Sequence, residues 1–215
     1  MPNTDILPRA RAIFARLRTR YPHPEPALAW TTPWQLLVAT VLAAQCTDAR
    51  VNQVTPEFFR RWPGPAELAQ AELTDIETVV RSTGFFHNKA KNLLAAARLV
   101  MAEFGGEPPR SMAELTRLPG VARKTANIVL SNALGVHEGI AVDTHVKRLT
   151  FRMGLTDQTD PVRIERDLMP LFDRADWGDV NHVLVYFGRE VCQARKPRCA
   201  QCELADLCPK RGVES

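Results

Sequence analysis

The sequence predicts an all-α protein. Apolar residues recur at helical spacing along nearly the whole chain, alternating strand patterns are almost absent, and clusters of proline and glycine cut the chain into pieces of helix length. The 215 residues can form one large domain or two small lobes. A hydrophobic share of 45% is ordinary for a globular protein. The net charge of +4 permits an acidic partner such as nucleic acid without requiring one. Only 7% of residues are aromatic, which argues against a broad base-stacking platform.

Pro8 to Arg20 reads as a basic amphipathic helix carrying Ile13, Phe14 and Leu17. The residues before it hold an early acid, Asp5, and no apolar run, so no secretory signal is expected. Tyr21-Pro22-His23-Pro24-Glu25-Pro26 has three prolines and reads as a linker. Pro33 suits the first turn of a helix running to Gln45. That helix is apolar all round, which suits a buried central element. The longest apolar run, Leu36 to Ala44, is broken by Thr40 and is too short to span a bilayer. A cytosolic, reduced setting follows, in which clustered cysteines favour metal binding or catalysis over disulfides.

Asp48 is placed to cap the next helix, which runs towards Trp62. Pro63-Gly64-Pro65 breaks the chain, and two short helices follow, around Ala66–Gln70 and Thr74–Arg81. Gly84 to Asn88 reads as a turn with Phe85 and Phe86 at its tip. The next helix, to about Phe104, puts Leu93, Ala97, Val100, Met101 and Phe104 on one face and is closed by Gly105-Gly106. Ser111 caps a short helix with Glu114 at the capping-box position. Three further helices are expected at Thr144–Met153, Pro161–Phe172 and Val180–Glu190, and no internal repeat is seen.

Two stretches carry chemistry. In the first, Leu118-Pro119-Gly120 is a tight stop between two helical patterns, the outline of a helix-hairpin-helix over about 112–134. Gly120 lets the chain turn, and the N–H groups that open the second helix can hold a phosphate. An ordinary helical corner would look the same in those three residues. Ala122, Ala126, Val129, Leu130 and Ala133 form the packing face of the second helix, while Lys124, Asn127 and Ser131 share another. Lys124 is then exposed one turn from a positive dipole end, which disfavours an added charge and favours the neutral amine a nucleophile needs. Asp143 follows that helix. It can cap the next helix, or assist Lys124 as a proton acceptor and stabiliser of a cationic sugar. His145 reads as a cap-region or packing residue.

In the second stretch, Cys192, Cys199, Cys202 and Cys208 give C-x6-C-x2-C-x5-C. Four thiolates this close suit tetrahedral zinc or a cubane iron–sulfur cluster. Only Cys199 and Cys202 form a close pair, whereas zinc modules bring two pairs together, so the spacing favours the cluster. Arg195, Lys196 and Arg198 lie in the loop between two ligands and form a candidate phosphate patch. Cys46, in the apolar helix, reads as a packed core thiol.

LPGVARKTAN followed by AVDTHVKRL and then C-x6-C-x2-C-x5-C resembles the endonuclease III family of DNA glycosylases, over about Ala27 to Cys208. The resemblance implies two all-α lobes with DNA in the cleft between them: a six-helix barrel domain over 26–135, and a [4Fe–4S] cluster domain from 1–25 plus 136–215, with its cluster loop at 192–208. It implies a base-excision enzyme, a bifunctional glycosylase and AP lyase, acting as a monomer on double-stranded DNA that carries oxidised pyrimidines or abasic sites. The setting implied is a bacterial-type cytoplasm, at the nucleoid, with no membrane. Lys124 matches the lysine that attacks the sugar C1′ and forms a Schiff base before β-elimination. Asp143 matches the essential aspartate, and the four cysteines match the cluster ligands. Gln45 matches a residue that plugs the gap left by a flipped base. The turn with Phe85, Phe86 and His87 matches a wedge, Asp48 the pocket edge, and Leu118, Gly120 and Ala122 the phosphate-gripping hairpin.

The chain departs from that pattern at Ala122, where a second glycine is common, and at the bulky Phe85-Phe86 tip. An adenine glycosylase of the same superfamily is disfavoured, because no Asp or Glu lies between Glu25 and Asp48 to act as general acid in the central helix. Its extra C-terminal domain is also not expected. A thymine-mismatch glycosylase is disfavoured by Lys124, and a non-catalytic DNA-scanning protein by Lys124 together with Asp143.

Overall fold

The computed structural model describes residues 6–213; Asp5 lies outside them. Every regular element among the described residues is helical. No helix among them is long and apolar enough to cross a membrane. The chain divides into two compact units, Pro26–Glu138 and a second built from the residues up to Glu25 and those from Gly139 onward.

In the Pro26–Glu138 unit, α2 (Pro33–Leu42) is central, and every residue from Leu36 to Leu42 is buried. Around it lie α3 (Asp48–Arg61), α4 (Pro65–Ala69), α5 (Leu73–Val80), α6 (Phe86–Glu103), α7 (Met112–Leu115) and α8 (Arg123–Ala133). The core joins Leu37, Val41, Phe58, Leu93, Leu115 and Val129. Thr40 is tolerated in it because its hydroxyl donates to Leu36 O at 2.7 Å.

Four local expectations are corrected. Helix α2 stops at Leu42, short of Gln45, which takes a left-handed backbone (φ 53°) three residues on. Thr47, not Asp48, caps α3, its hydroxyl accepting from Arg50 N–H at 3.2 Å. The turn before α6 is only Gly84-Phe85 (φ 69° and 49°), so Phe86, His87 and Asn88 already belong to the helix. Met101 leaves the packing face of α6 and is 40% exposed.

The second unit holds α1 (Ile6–Arg20), α9 (Thr144–Arg152), α10 (Pro161–Leu168) and α11 (Trp177–Glu190). Its core brings Ile13 and Leu17 of α1 onto Leu149, Ile164, Val183 and Phe187. The helix expected over Pro161–Phe172 stops at Leu168 and tightens into a 3-10 turn, Met169–Leu171, that contains Pro170. Trp177 extends α11 backwards by three residues and ties its indole N–H to Phe172 O at 3.2 Å. Arg20 of α1 pairs with Glu190 and Glu203, both at 3.1 Å.

Candidate active site and cluster loop

The hairpin is built on a turn from Leu118 to Val121, closed by Val121 N–H donating to Leu118 O at 3.0 Å. Pro119 is its second residue and Gly120, at φ 81°, its third, the arrangement of a type II turn. Glycine is required twice there. A side chain would be strained at that φ, and a Cβ would meet Asn92 Cβ of α6 at 3.0 Å. Leu118 is buried in the core under the turn, whereas Gly120 and Ala122 are exposed. Ala122 is the N-cap of α8, with extended backbone and no side-chain oxygen to occupy the first turn. Lys124 sits in that turn and is exposed. The face assigned to it is corrected: Asn127 is 2% exposed and belongs to the packed side, while Ala122, read as packing, lies in the open.

Asp143 is the N-cap of α9. One carboxylate oxygen accepts from Val146 N–H at 2.8 Å, and the other lies 3.2 Å from His145 Nδ1. Both oxygens are thus oriented and each keeps a lone pair for another partner. His145 packs on Gly188, where a Cβ would meet its Cδ2 at 2.8 Å. Burial pushes the pKa of nearby His182 down to about 4, against the pull of the Asp143 charge, so it is neutral at neutral pH.

Gln45 and Phe85 are exposed, and both hold left-handed backbones. Among the described residues only Lys196 and Lys210 also do so without being glycine. Such residues are uncommon and collect at functional sites. The adjacent phenylalanines part company. Phe85 is 63% exposed, while Phe86 packs against the core, its ring 4.0 Å from the His87 ring. His87 is exposed and pairs with Glu77 at 2.9 Å. Asp48 opens α3 and is half-buried.

Cys192, Cys199, Cys202 and Cys208 line one cavity, walled by Met153, Phe187 and Leu204. Among the described residues no three ligating side chains form a group that could hold a single metal ion. Burial pushes the Cys202 and Cys208 thiols up, and the charges of the other cluster thiols push the same way. Four thiols around one apolar cavity fit a cubane cluster. Arg195, Lys196 and Arg198 are all exposed in the loop.

Two arginines of α9 were not singled out in the sequence. Arg152, only 8% exposed, donates to Gln193 O at 2.7 Å, to Ala194 O at 2.9 Å and to Cys192 Sγ at 3.4 Å. Arg148 donates to Gly188 O and Cys192 O, both at 3.1 Å. Helical spacing was the available signal, since Arg152 follows buried Leu149 by three residues.

Residues 38–174 match the family model of the HhH-GPD superfamily base excision DNA repair proteins, and residues 192–208 match the iron-sulfur binding domain of endonuclease III. The chain is 55% identical to the endonuclease III of Synechocystis sp. over 94% of its length and 92% of that protein's. Against the endonuclease III of Escherichia coli (strain K12) the identity is 37%, over 91% and 92%.

The chain belongs to the endonuclease III family.

It is a base-excision-repair DNA glycosylase and AP lyase, and its cofactor is a [4Fe–4S] cluster. A solved endonuclease III trapped in a covalent intermediate with DNA matches it with a TM-score of 0.88 and 38% identity, over 93% of this chain and 94% of that one.

Proposed function

We propose that this endonuclease III removes oxidised pyrimidines such as thymine glycol from double-stranded DNA, and nicks abasic sites, with Lys124 as nucleophile. The observation that carries this reading is an exposed lysine in the first turn of a helix that opens from a type II turn without a side-chain cap. The DNA-bound relatives support DNA as partner.

In the proposed step the Lys124 amine bonds to C1′ as the bond from C1′ to the base breaks, and the departing base takes up a proton. Opening of the sugar ring gives the Schiff base. Loss of a C2′ proton then expels the 3′ phosphate, and hydrolysis of the imine frees the lysine. Asp143, its two oxygens fixed by Val146 N–H and His145, takes a proton and balances the cationic sugar. Gly120 and Ala122 present the opening of α8 to a DNA phosphate without reading sequence. Leu118 supports that turn from beneath.

Gln45 fills the gap left by the flipped base, and Phe85 wedges beside it, with His87 at the rim. Arg195, Lys196 and Arg198 add phosphate contacts. Cys192, Cys199, Cys202 and Cys208 would hold the cluster, which would cross-link the loop when bound. Arg152 and Arg148 hold the same loop by its carbonyls. We place the enzyme, as a monomer, in the cytoplasm at the nucleoid.

Single-lesion duplexes, assayed separately for base loss and strand nicking, test the reading. Release of thymine glycol together with strand nicking is expected. DNA binding without base loss or nicking would reduce the chain to a scanning protein.

A further inference from the structure

Lys89 of α6 is only 5% exposed. Its ammonium donates to Leu42 O and to Thr83 O, both at 2.8 Å. Leu42 is the last residue of α2, and Thr83 is the last of the 3-10 turn Arg81–Thr83. Carbonyls at such ends lack partners within their own helix and carry the negative end of the dipole, so a buried cation suits both. The two loops that begin at these carbonyls each hold one exposed side chain on a left-handed backbone: Gln45, three residues after Leu42, and Phe85, two after Thr83. A single charged group therefore closes both helix ends and sets the spacing of the loops that leave them.

We infer that Lys89 is a positioning residue for base extrusion, holding the loops of Gln45 and Phe85 in register so that the two side chains enter the duplex as one device. The inference rests on the gap-filling roles given to Gln45 and Phe85 above. A stem alone would fill the cavity; only the ammonium bridges two carbonyls. Losing it leaves two buried acceptors unsatisfied and frees one loop from the other.

The test compares thymine glycol in an intact duplex with the same lesion opposite a one-nucleotide gap, where no opposite base has to be held apart. Lys89→Met keeps the stem and removes the charge. Single-turnover base release from the intact duplex is expected to fall roughly 10- to 100-fold, the range for an unsatisfied buried acceptor. Release from the gapped substrate is expected to stay within about 3-fold of wild type, below one such loss. An equal fall on both substrates, or on neither, would overturn the inference. Wild-type protein inactive on both would instead sink the proposed function. Should Lys89→Met fail to fold, surface variants in the wild-type background decide. Gln45→Ala and Phe85→Ala, made singly and together, must be non-additive on the intact duplex. A double loss equal to the product of the single losses shows two independent side chains and refutes the inference.

Discussion

Gly120→Ala probes the hairpin at the point where two physical requirements meet. Its φ of 81° costs an L-residue about 1–2 kcal/mol. The added Cβ would lie 3.0 Å from Asn92 Cβ and 3.1 Å from Asn92 Nδ2, a contact that adds about 1–2 kcal/mol of overpacking. The sum, about 3 kcal/mol, lowers the melting temperature by roughly 6–12 °C in a chain of this size. Thermal unfolding of the cluster-loaded protein measures it, and single-turnover cleavage at saturating enzyme follows the displaced opening of α8. Adding Asn92→Ala isolates the amide's share of the contact, because alanine keeps the Cβ that lies 3.0 Å away. It removes the amide from the contact, so the double variant should recover about 1 kcal/mol, while the cost of the backbone remains. Gly120→Ala within about 0.5 kcal/mol of wild type would refute the reasoning. A double variant that recovers nothing would refute the amide's share of the packing cost.

Further outcomes separate neighbouring residues and groups. Phe85→Ala should leave stability within about 0.5 kcal/mol while weakening lesion cleavage more than nonspecific binding, whereas Phe86→Ala should cost about 2 kcal/mol of stability in urea titration, because its ring packs on the core. Neutralising Arg195 and Arg198 together should reduce the slope of log K against log salt by about 2; an unchanged slope removes them from the interface. His182 titrates near 4 in the fold against an ordinary 6.5, so the unfolded chain binds its proton first as pH falls. That stability is fully present above pH 6.5 and is lost towards pH 4, on the order of 3 kcal/mol, and His182→Gln should flatten that part of the stability curve.

Helical period and punctuation carried most of the fold. Proline at Pro33 and Pro161 and serine at Ser111 mark helix starts that the structure shows within a residue. Backbone sign was not legible: nothing in Gly84-Phe85-Phe86 says which phenylalanine takes φ 49° and projects, and which starts the helix and packs. Side-chain type also misled. Lys89 falls four residues before Leu93 on the packed face of α6, so periodicity places it inside, yet a lysine between His87 and Lys91 reads as solvated until its two carbonyl partners are known. Asn127 went unrecognised as a buried residue for the same reason. The cysteine spacing was legible because four ligands must come from one short segment. Arg152, which holds that segment by its carbonyls, comes from a distant helix.

The central claim is that the Lys124 amine becomes covalently bound to the sugar. Borohydride reduction during reaction with a thymine glycol duplex tests it most directly. Wild type should yield one protein–DNA adduct whose cross-linked peptide contains Lys124, and Lys124→Gln should yield none. No adduct with wild type, or trapping of Lys124→Gln at the wild-type rate, would contradict the mechanism.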